Sequence, residues 1–381
     1  MKFVLAPDSF KESMTAKKAA LAMEKGILAV FPDAECRIVP MADGGEGTVD
    51  SLVSMTNGEI IRTEVLGPLG EIVIAEYGLL GGCQTAVIEM ASASGLELIK
   101  PVDRNPFLTT TYGTGELIKH ALDKGASRIL IGIGGSATND GGVGMLQALG
   151  ASFKDAMGNE LLHGGGSLDQ LVSIDLSGLD ERLKYVHIDV ACDVTNPLIG
   201  KNGASAIFGP QKGATPEMVK KLDQNLFRYA EIIKQELGKD VAYLEGAGAA
   251  GGLGAGLMAF LNARLKKGVD LVIEYTRLED QVKDADYVFT GEGSIDGQTL
   301  FGKTPYGVAM VAKKHSVPVV AFAGRIGNGV EPLYDNGFTA IIGILKGVTS
   351  LEEALNLGEE NLAFAVENTC RVLKQSRRDG I

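Results

Sequence analysis

Glu292, Asp296, Gln298, Thr299 and Lys303 stand close together in the segment 284–307. Two carboxylates, two neutral hydrogen-bonding side chains and a lysine suit a charged, oxygen-rich substrate. In a core each of them would need a partner. The segment opens with an apolar run, 287–290, that reads as a buried strand. It then breaks into glycines, and a helix is expected from about Pro305 to Lys314. A strand that ends in a polar glycine loop and feeds a helix is the usual place for a ligand in an α/β protein.

Gly297, Gly302, Lys303 and Thr304 also satisfy G-x-x-x-x-G-K-[ST]. A true P-loop follows its strand directly and carries its lysine in the first helical turn. Here Gly297 lies seven residues past Thr290, and Pro305 biases Thr304 away from helical angles. Thr304 is therefore read as an N-cap and the match as an accident, with Lys303 kept as a phosphate donor in another geometry.

The elements that must position these groups follow a β-α-β rhythm. A strand over 2–6 exits through Pro7, Asp8, Ser9 and Lys11, and Thr15 caps a helix to about Val30. A strand over 36–41 exits through Asp43, Gly44, Gly45 and Glu46 into a helix ending at Thr56. From 60 to 91 the pattern becomes a meander of three strands. Further on come a helix near 113–124, a strand over 129–133 with a polar glycine loop over 134–142, and a strand over 186–191 ending at Asp193 and Asn196. A long amphipathic helix over 216–237 precedes the glycine tract 246–256, which leads into a helix ending near Lys267. The parallel rhythm then returns with strands at 287–290, 318–323 and 340–345, a final helix over 351–373 and a solvated tail over 374–381.

Two strands before the change of pattern and three after it make an open, doubly wound, parallel sheet of the Rossmann or flavodoxin type, order 2-1-3-4-5. The expected fold is α/β: a discontinuous domain, 1–65 with 270–381, and an inserted α/β domain, 66–269. That order places Asp8, Ser9, Lys11, Asp43, Glu46, Glu292 and Asp296 along one carboxyl edge.

Composition limits the partners. The net charge of −12 and the absence of a basic stripe argue against nucleic acid, so an anionic substrate must be held by local donors. The four cysteines, Cys36, Cys83, Cys192 and Cys370, lack C-x-x-C spacing and read as reduced thiols of a cytoplasmic protein. The four histidines show no zinc-ligand spacing. No stretch reads as a membrane span, and the apolar run at the N-terminus is too short for a signal peptide. The 51 glycines are about twice the usual share and mark loops where backbone approaches a ligand or another element.

Several of these segments together resemble the type-1 glycerate kinase family: 6–11, 42–48, 112–116, 132–142, 192–198, 208–214, 246–254 and 290–303. The resemblance covers the whole chain. It implies phosphorylation of D-glycerate by ATP, usually with Mg²⁺, and in the catabolic members at the 2-hydroxyl. It also implies a two-domain protein, and a homodimer is compatible with it.

Such chemistry needs a phosphate cradle, charge neutralisation, a carboxylate for the hydroxyl and a holder for the acceptor. The catalytic candidates are Asp8, Lys11, Asp193, Glu292 and Asp296, with Glu292 and Asp296 as metal ligands. Ser9, Asp43, Glu46, Gly134, Gly135, Ser136, Thr138, Asn139, Asp140, Asn196, Gln298, Thr299, Lys303 and Arg325 are candidates to bind substrate or phosphate. Any single aspartate among them could be a helix cap or turn residue instead. Lys212 joins Lys11, Lys303 and Arg325 as a donor for the glycerate carboxylate and the phosphates, the plain alternative for each being a solvated surface lysine. Gly246, Gly248 and Gly251 match G-x-G-x-x-G, which serves packing as readily as a cofactor. The alternatives are a glycerate 3-kinase, a dinucleotide-dependent glycerate oxidoreductase, and a nucleotide-binding regulatory protein without turnover.

Overall fold

The structure, a computed structural model, describes residues 1–82 and 84–378. Cys83 and the last residues of the expected solvated tail lie outside the described residues. The chain forms two compact units: Met1–Asp43, Asp50–Asn57 and Val269–Ile381 make the first, and Gly44–Val49 with Gly58–Gly268 the second.

The first unit begins with β1 (Lys2–Leu5) and β2 (Glu35–Ile38). The second unit holds β3 (Glu59–Leu66), β4 (Ile72–Leu79), β5 (Thr85–Glu89), β6 (Arg128–Gly132), β7 (Ser152–Lys154), β8 (Ser173–Asp175), β9 (His187–Ala191) and β10 (Arg264–Lys266). The chain then returns to the first unit with β11 (Tyr287–Ile295), β12 (Val319–Ile326) and β13 (Phe338–Gly343).

In the first unit the order is β13-β12-β11-β1-β2, and every pair is parallel. This is the expected doubly wound order. Phe3, Val4 and Leu5 are fully buried, as a central parallel strand requires. The Phe3, Phe289 and Phe322 rings pack edge to face, 5.3 and 5.4 Å between successive centroids. Thr15 caps the helix Ala16–Leu28 by accepting from Lys18 N. That helix lines its inner face with Ala16, Ala19, Ala20 and Gly26, so the helix Gly358–Arg378 can approach closely. A Cβ on Gly26 would stand 2.4 Å from the Ala363 carbonyl oxygen.

β11 is longer than the expected four residues because β12 pairs with it as far as Ile295↔Ile326. Its glycines look like a loop in sequence, but they are places of close approach. A Cβ on Gly291 would meet the Phe322 carbonyl oxygen at 2.2 Å. The final helix is two: Leu351–Asn356 and Gly358–Arg378. They separate at Leu357, where Ser13 Oγ donates to Leu355 O and leaves no room for a side chain on Gly358. The second continues past the expected end at 373, and Lys374 is tied down, donating to Val30 O at 2.9 Å.

In the second unit the order is β10-β9-β6-β5-β4-β3. The meander β3–β5 is antiparallel and the rest is parallel. The helix expected to end near Lys267 stops at Leu261, capped by Asn262 in the left-handed region (φ 51°). The residues after it form β10, and the antiparallel pair of β7 with β8 was also unforeseen. At three residues each, these strands carry too little alternation to be read. The helix Pro216–Leu237 is as expected, with Thr215 as its cap, Pro216 at its first position and Gly238 (φ 68°) at its end.

Gly26→Ala should therefore force the two helices apart. The expected loss is about 1–3 kcal/mol, read as a lower midpoint in thermal unfolding of the full chain.

Candidate active site

In the first unit the exits of β1 and β11 are stitched together. Ala6 N donates to Phe289 O, Asp8 N to Gly291 O, and Thr290 Oγ1 to Ala6 O. This lays Asp8 beside Glu292. Asp8 accepts from Ser9 N on Oδ1 and from Thr304 Oγ1 on Oδ2. Thr304 is thus the first residue of its helix and not its cap, a place taken by Lys303. Glu292 sits on β11 itself, not in a loop after it. Its side chain is 14% exposed, accepts from Thr299 Oγ1 at 3.3 Å and lies 3.6 Å from Lys303 Nζ. Lys303 also reaches Ser294 O at 3.3 Å.

Burial is the first cause that lifts both carboxyls. Asp8 rises to about 6, held down by the Thr304 hydroxyl and pushed up by the charge of Asp43. Glu292 rises to about 7, with Lys303 opposing the rise and Asp8 adding to it. Asp8, Asp43 and Glu292 therefore feel one another across a single edge.

Asp296 performs the capping its position allows, accepting from Gln298 N at 2.9 Å at the start of the 3-10 turn Gly297–Phe301. A turn there, with Lys303 beyond it, is not a P-loop. Lys11, Gln298 and Arg325 are exposed, and Arg325 pairs in register with Ser294. Glu46 lies in Gly44–Val49, which belongs to the second unit, and it is exposed.

In the second unit, Gly134 and Gly135 are exposed after β6, as a backbone cradle would need. The side chains that follow turn inward, contrary to their expected use as donors to a phosphate. Thr138 and Asn139 are fully buried, and Asn139 donates to Ser205 Oγ. Asp140 is 1% exposed and accepts from Thr111 N, Thr111 Oγ1, Gly142 N and Gly144 N. It is a staple inside the loop. Burial pushes its carboxyl up, against the four bonds that hold it down. Asp193 is exposed and accepts from Gly268 N, and Asn196 donates to Asn202 O. Burial raises the Cys192 thiol, as suits a structural cysteine.

Lys212 is not the solvated surface lysine of its plain alternative reading. It is 1% exposed, and its Nζ donates to Ser136 Oγ at 2.7 Å and Thr138 O at 2.6 Å. Desolvation lowers its pKa from 10.5 to about 7, with the Asp140 charge opposing. The only signal in sequence was a lysine within a run of glycine and proline.

The G-x-G-x-x-G tract packs. Ala250, Gly251 and Gly252 take positive φ, and Gly141 N donates to Gly251 O. A Cβ on Gly251 would stand 1.9 Å from Thr138 O. The tract backs the 134–142 loop, and nothing in its geometry favours a dinucleotide.

A parallel α/β fold with half-buried carboxylates and a lysine at a strand edge is the architecture of an enzyme for small anionic substrates. The chain belongs to the glycerate kinase family, whose family model matches residues 3–374. It is 55% identical to a glycerate kinase of Bacillus subtilis, over 99% of this chain and 97% of that protein. It is 53% identical to the glycerate 2-kinase of Escherichia coli, over the full length of both. A crystal structure of a candidate glycerate kinase 2 from Salmonella typhimurium LT2 superposes with a TM-score of 0.91 at 52% identity, covering 99% of each chain.

Two outcomes follow from the second unit. Gly251→Ala, strained by its φ of 67° and by the Thr138 oxygen, should lose about 2–4 kcal/mol, measured by urea unfolding. Lys212 sets a pH slope. Below about pH 7 it is protonated folded and unfolded, and folding bears the whole cost of burying the charge. As pH rises from there toward 10.5 only the unfolded chain keeps the proton, so stability is gained. Wild type should gain on Lys212→Met by up to about 1.4 kcal/mol per pH unit in that window, read as unfolding free energies at neutral and mildly alkaline pH.

Proposed function

We propose that this chain transfers the terminal phosphoryl group of ATP to the 2-hydroxyl of D-glycerate, giving 2-phosphoglycerate and ADP. The observation that carries the reading is the pair Asp8 and Glu292, desolvated at one strand edge beside Lys303. Membership of the glycerate kinase family supports it, and the E. coli relative's name supports the 2-hydroxyl. The two compact units are taken as its two domains, the first discontinuous in sequence.

Asp8 is the base we assign to the acceptor hydroxyl. The Thr304 hydroxyl and the Ser9 N–H orient its carboxylate, and a pKa near neutrality suits proton transfer. Lys303, Lys11 and Arg325 are the cations assigned to the glycerate carboxylate and the phosphoryl group. A phosphoryl group placed on the carbon next to the carboxylate lets one set of cations serve both.

A magnesium ion would neutralise charge on the phosphates. Among the described residues no three His, Cys, Asp or Glu side chains form a ready metal site, and the support is the donor chemistry: Asp8 forms no ion pair among the described residues, and the charges of Asp43 and Glu292 add to its own. A surplus of carboxylate oxygen suits a hard divalent cation. Glu292 and Asp296 are the residues assigned to hold it. The cytoplasm, where ATP is available, is the expected location. Among the described residues no helix is long and apolar enough to cross a membrane.

The test is a product assay with D-glycerate and ATP, coupled to enolase. Enolase should consume the product directly; a requirement for phosphoglycerate mutase would make the enzyme a 3-kinase. Asp8→Asn and Glu292→Gln should each lower kcat by about 10²–10⁴-fold with circular dichroism unchanged. Asp296→Asn keeps the cap, so loss of activity there separates a role in catalysis from capping.

A further inference from the structure

Lys212 is a buried cation whose surroundings do not account for it. Among the described residues no carboxylate forms an ion pair with it, and its two partners, Ser136 Oγ and Thr138 O, are neutral. A desolvated charge without a counter-ion is destabilising. The charged and titratable groups around it are few. Asp140 acts on it through the loop, and Tyr229 donates to Gly141 O within that same loop. Arg104 touches its own segment, donating to Gln211 O and crowding Gly213.

The loop over Lys212 is turned in a particular way. Three of its carbonyls are engaged from the protein side: Gly135 O by Leu96 N, Ala137 O by Thr109 Oγ1, and Thr138 O by Lys212 Nζ. Backbone oxygens that would repel an anion are thereby held inward, while Gly134 and Gly135 stay exposed. The Thr138 hydroxyl is buried with no hydrogen-bond partner, an uncommon state in a finished interior.

We propose that the loop 134–139 receives a phosphate of the nucleotide, and that Lys212 is its positioning residue. The ammonium locks the loop through Ser136 and Thr138 and supplies the counter-charge from beneath, without touching the ligand. An anion on the loop favours the charged amine, so Lys212 takes up a proton from the buffer when the nucleotide binds. The inference rests on the kinase reading above.

The experiment follows the Lys212 ¹³Cε resonance with pH in the full chain labelled at lysine, alone, with ADP and with D-glycerate. The resonance is assigned by its absence from Lys212→Arg, or by through-bond correlation if that variant does not fold. The expected midpoint is about 7 for the free chain, rising by about one unit or more with ADP, and unmoved by D-glycerate. A midpoint that ADP leaves in place, or that D-glycerate alone raises, overturns the inference.

Kinetics give a second reading. Lys212→Met should raise KM for ATP by about 10–100-fold, as expected on losing a charge in a dry site, with a smaller change in kcat. Lys212→Arg should recover part of the loss. Equal effects on KM for both substrates would mark a merely structural lysine. Wild-type turnover is measured in parallel. Its absence sinks the kinase reading, whereas turnover with an unmoved Lys212 sinks this inference alone.

Discussion

The parallel pairing of β1 with β11 is what the first unit depends on. It is short, Phe3↔Tyr287 to Leu5↔Phe289, yet the backbone bonds continue past it to Asp8 and Gly291. Those bonds hold Asp8, just past the end of β1, beside Glu292 on β11. Like charges in a desolvated place cost stability, and burial dominates the upward shift of both. The sheet bears that cost because β1 and β11 carry Phe3 and Phe289 a few residues earlier, packed with Phe322 of β12 in an aromatic core. Strain of this kind, set on rigid strands, is where function is to be sought.

The second unit depends on a different constraint, the close approach of backbone to backbone. The loop 134–142 and the tract 246–256 press together so closely that side chains are excluded. Gly251 faces Thr138 O, Gly252 faces Gly141 Cα, and Gly256 faces Gly141 O. Much of the glycine excess is thereby accounted for by packing, as the alternative to a cofactor motif. Asp140 completes the arrangement by tying four donors to one buried carboxylate. The polar character of the loop, read in sequence as a binding surface, is largely spent on holding its own shape.

This contrast explains what was legible in the sequence. The β-α-β rhythm, the sheet order, the cap at Thr15 and the long helix 216–237 were readable because each has a local signature in period or residue type. The acidic residues at strand ends were readable for the same reason. The length of β11 was not, since Gly291 and Gly293 signal a break, and only the pairing with β12 makes them strand. The burial of Thr138, Asn139 and Lys212 was not legible either. Whether a polar side chain faces solvent or interior is settled by partners distant in sequence, such as Ser205 for Asn139 and residues 74 and more positions away for Lys212.

The cations of the chain show why those distant partners matter. With a net charge of −12 the overall field repels an anionic substrate, so attraction must come from individual cations in places of low dielectric. An exposed cation is screened within about 8 Å in physiological salt, whereas a buried one is screened far less. Lys11 and Arg325 are exposed and act weakly at a distance. Lys303 is 35% exposed and already shares its charge with Glu292. Lys212 is the buried cation, hydrogen-bonded to neutral oxygens, with the charge of Asp140 acting on it and solvent screening its field least of the four. A chain this acidic gains more from one desolvated lysine under a loop of exposed glycines than from further lysines on its surface.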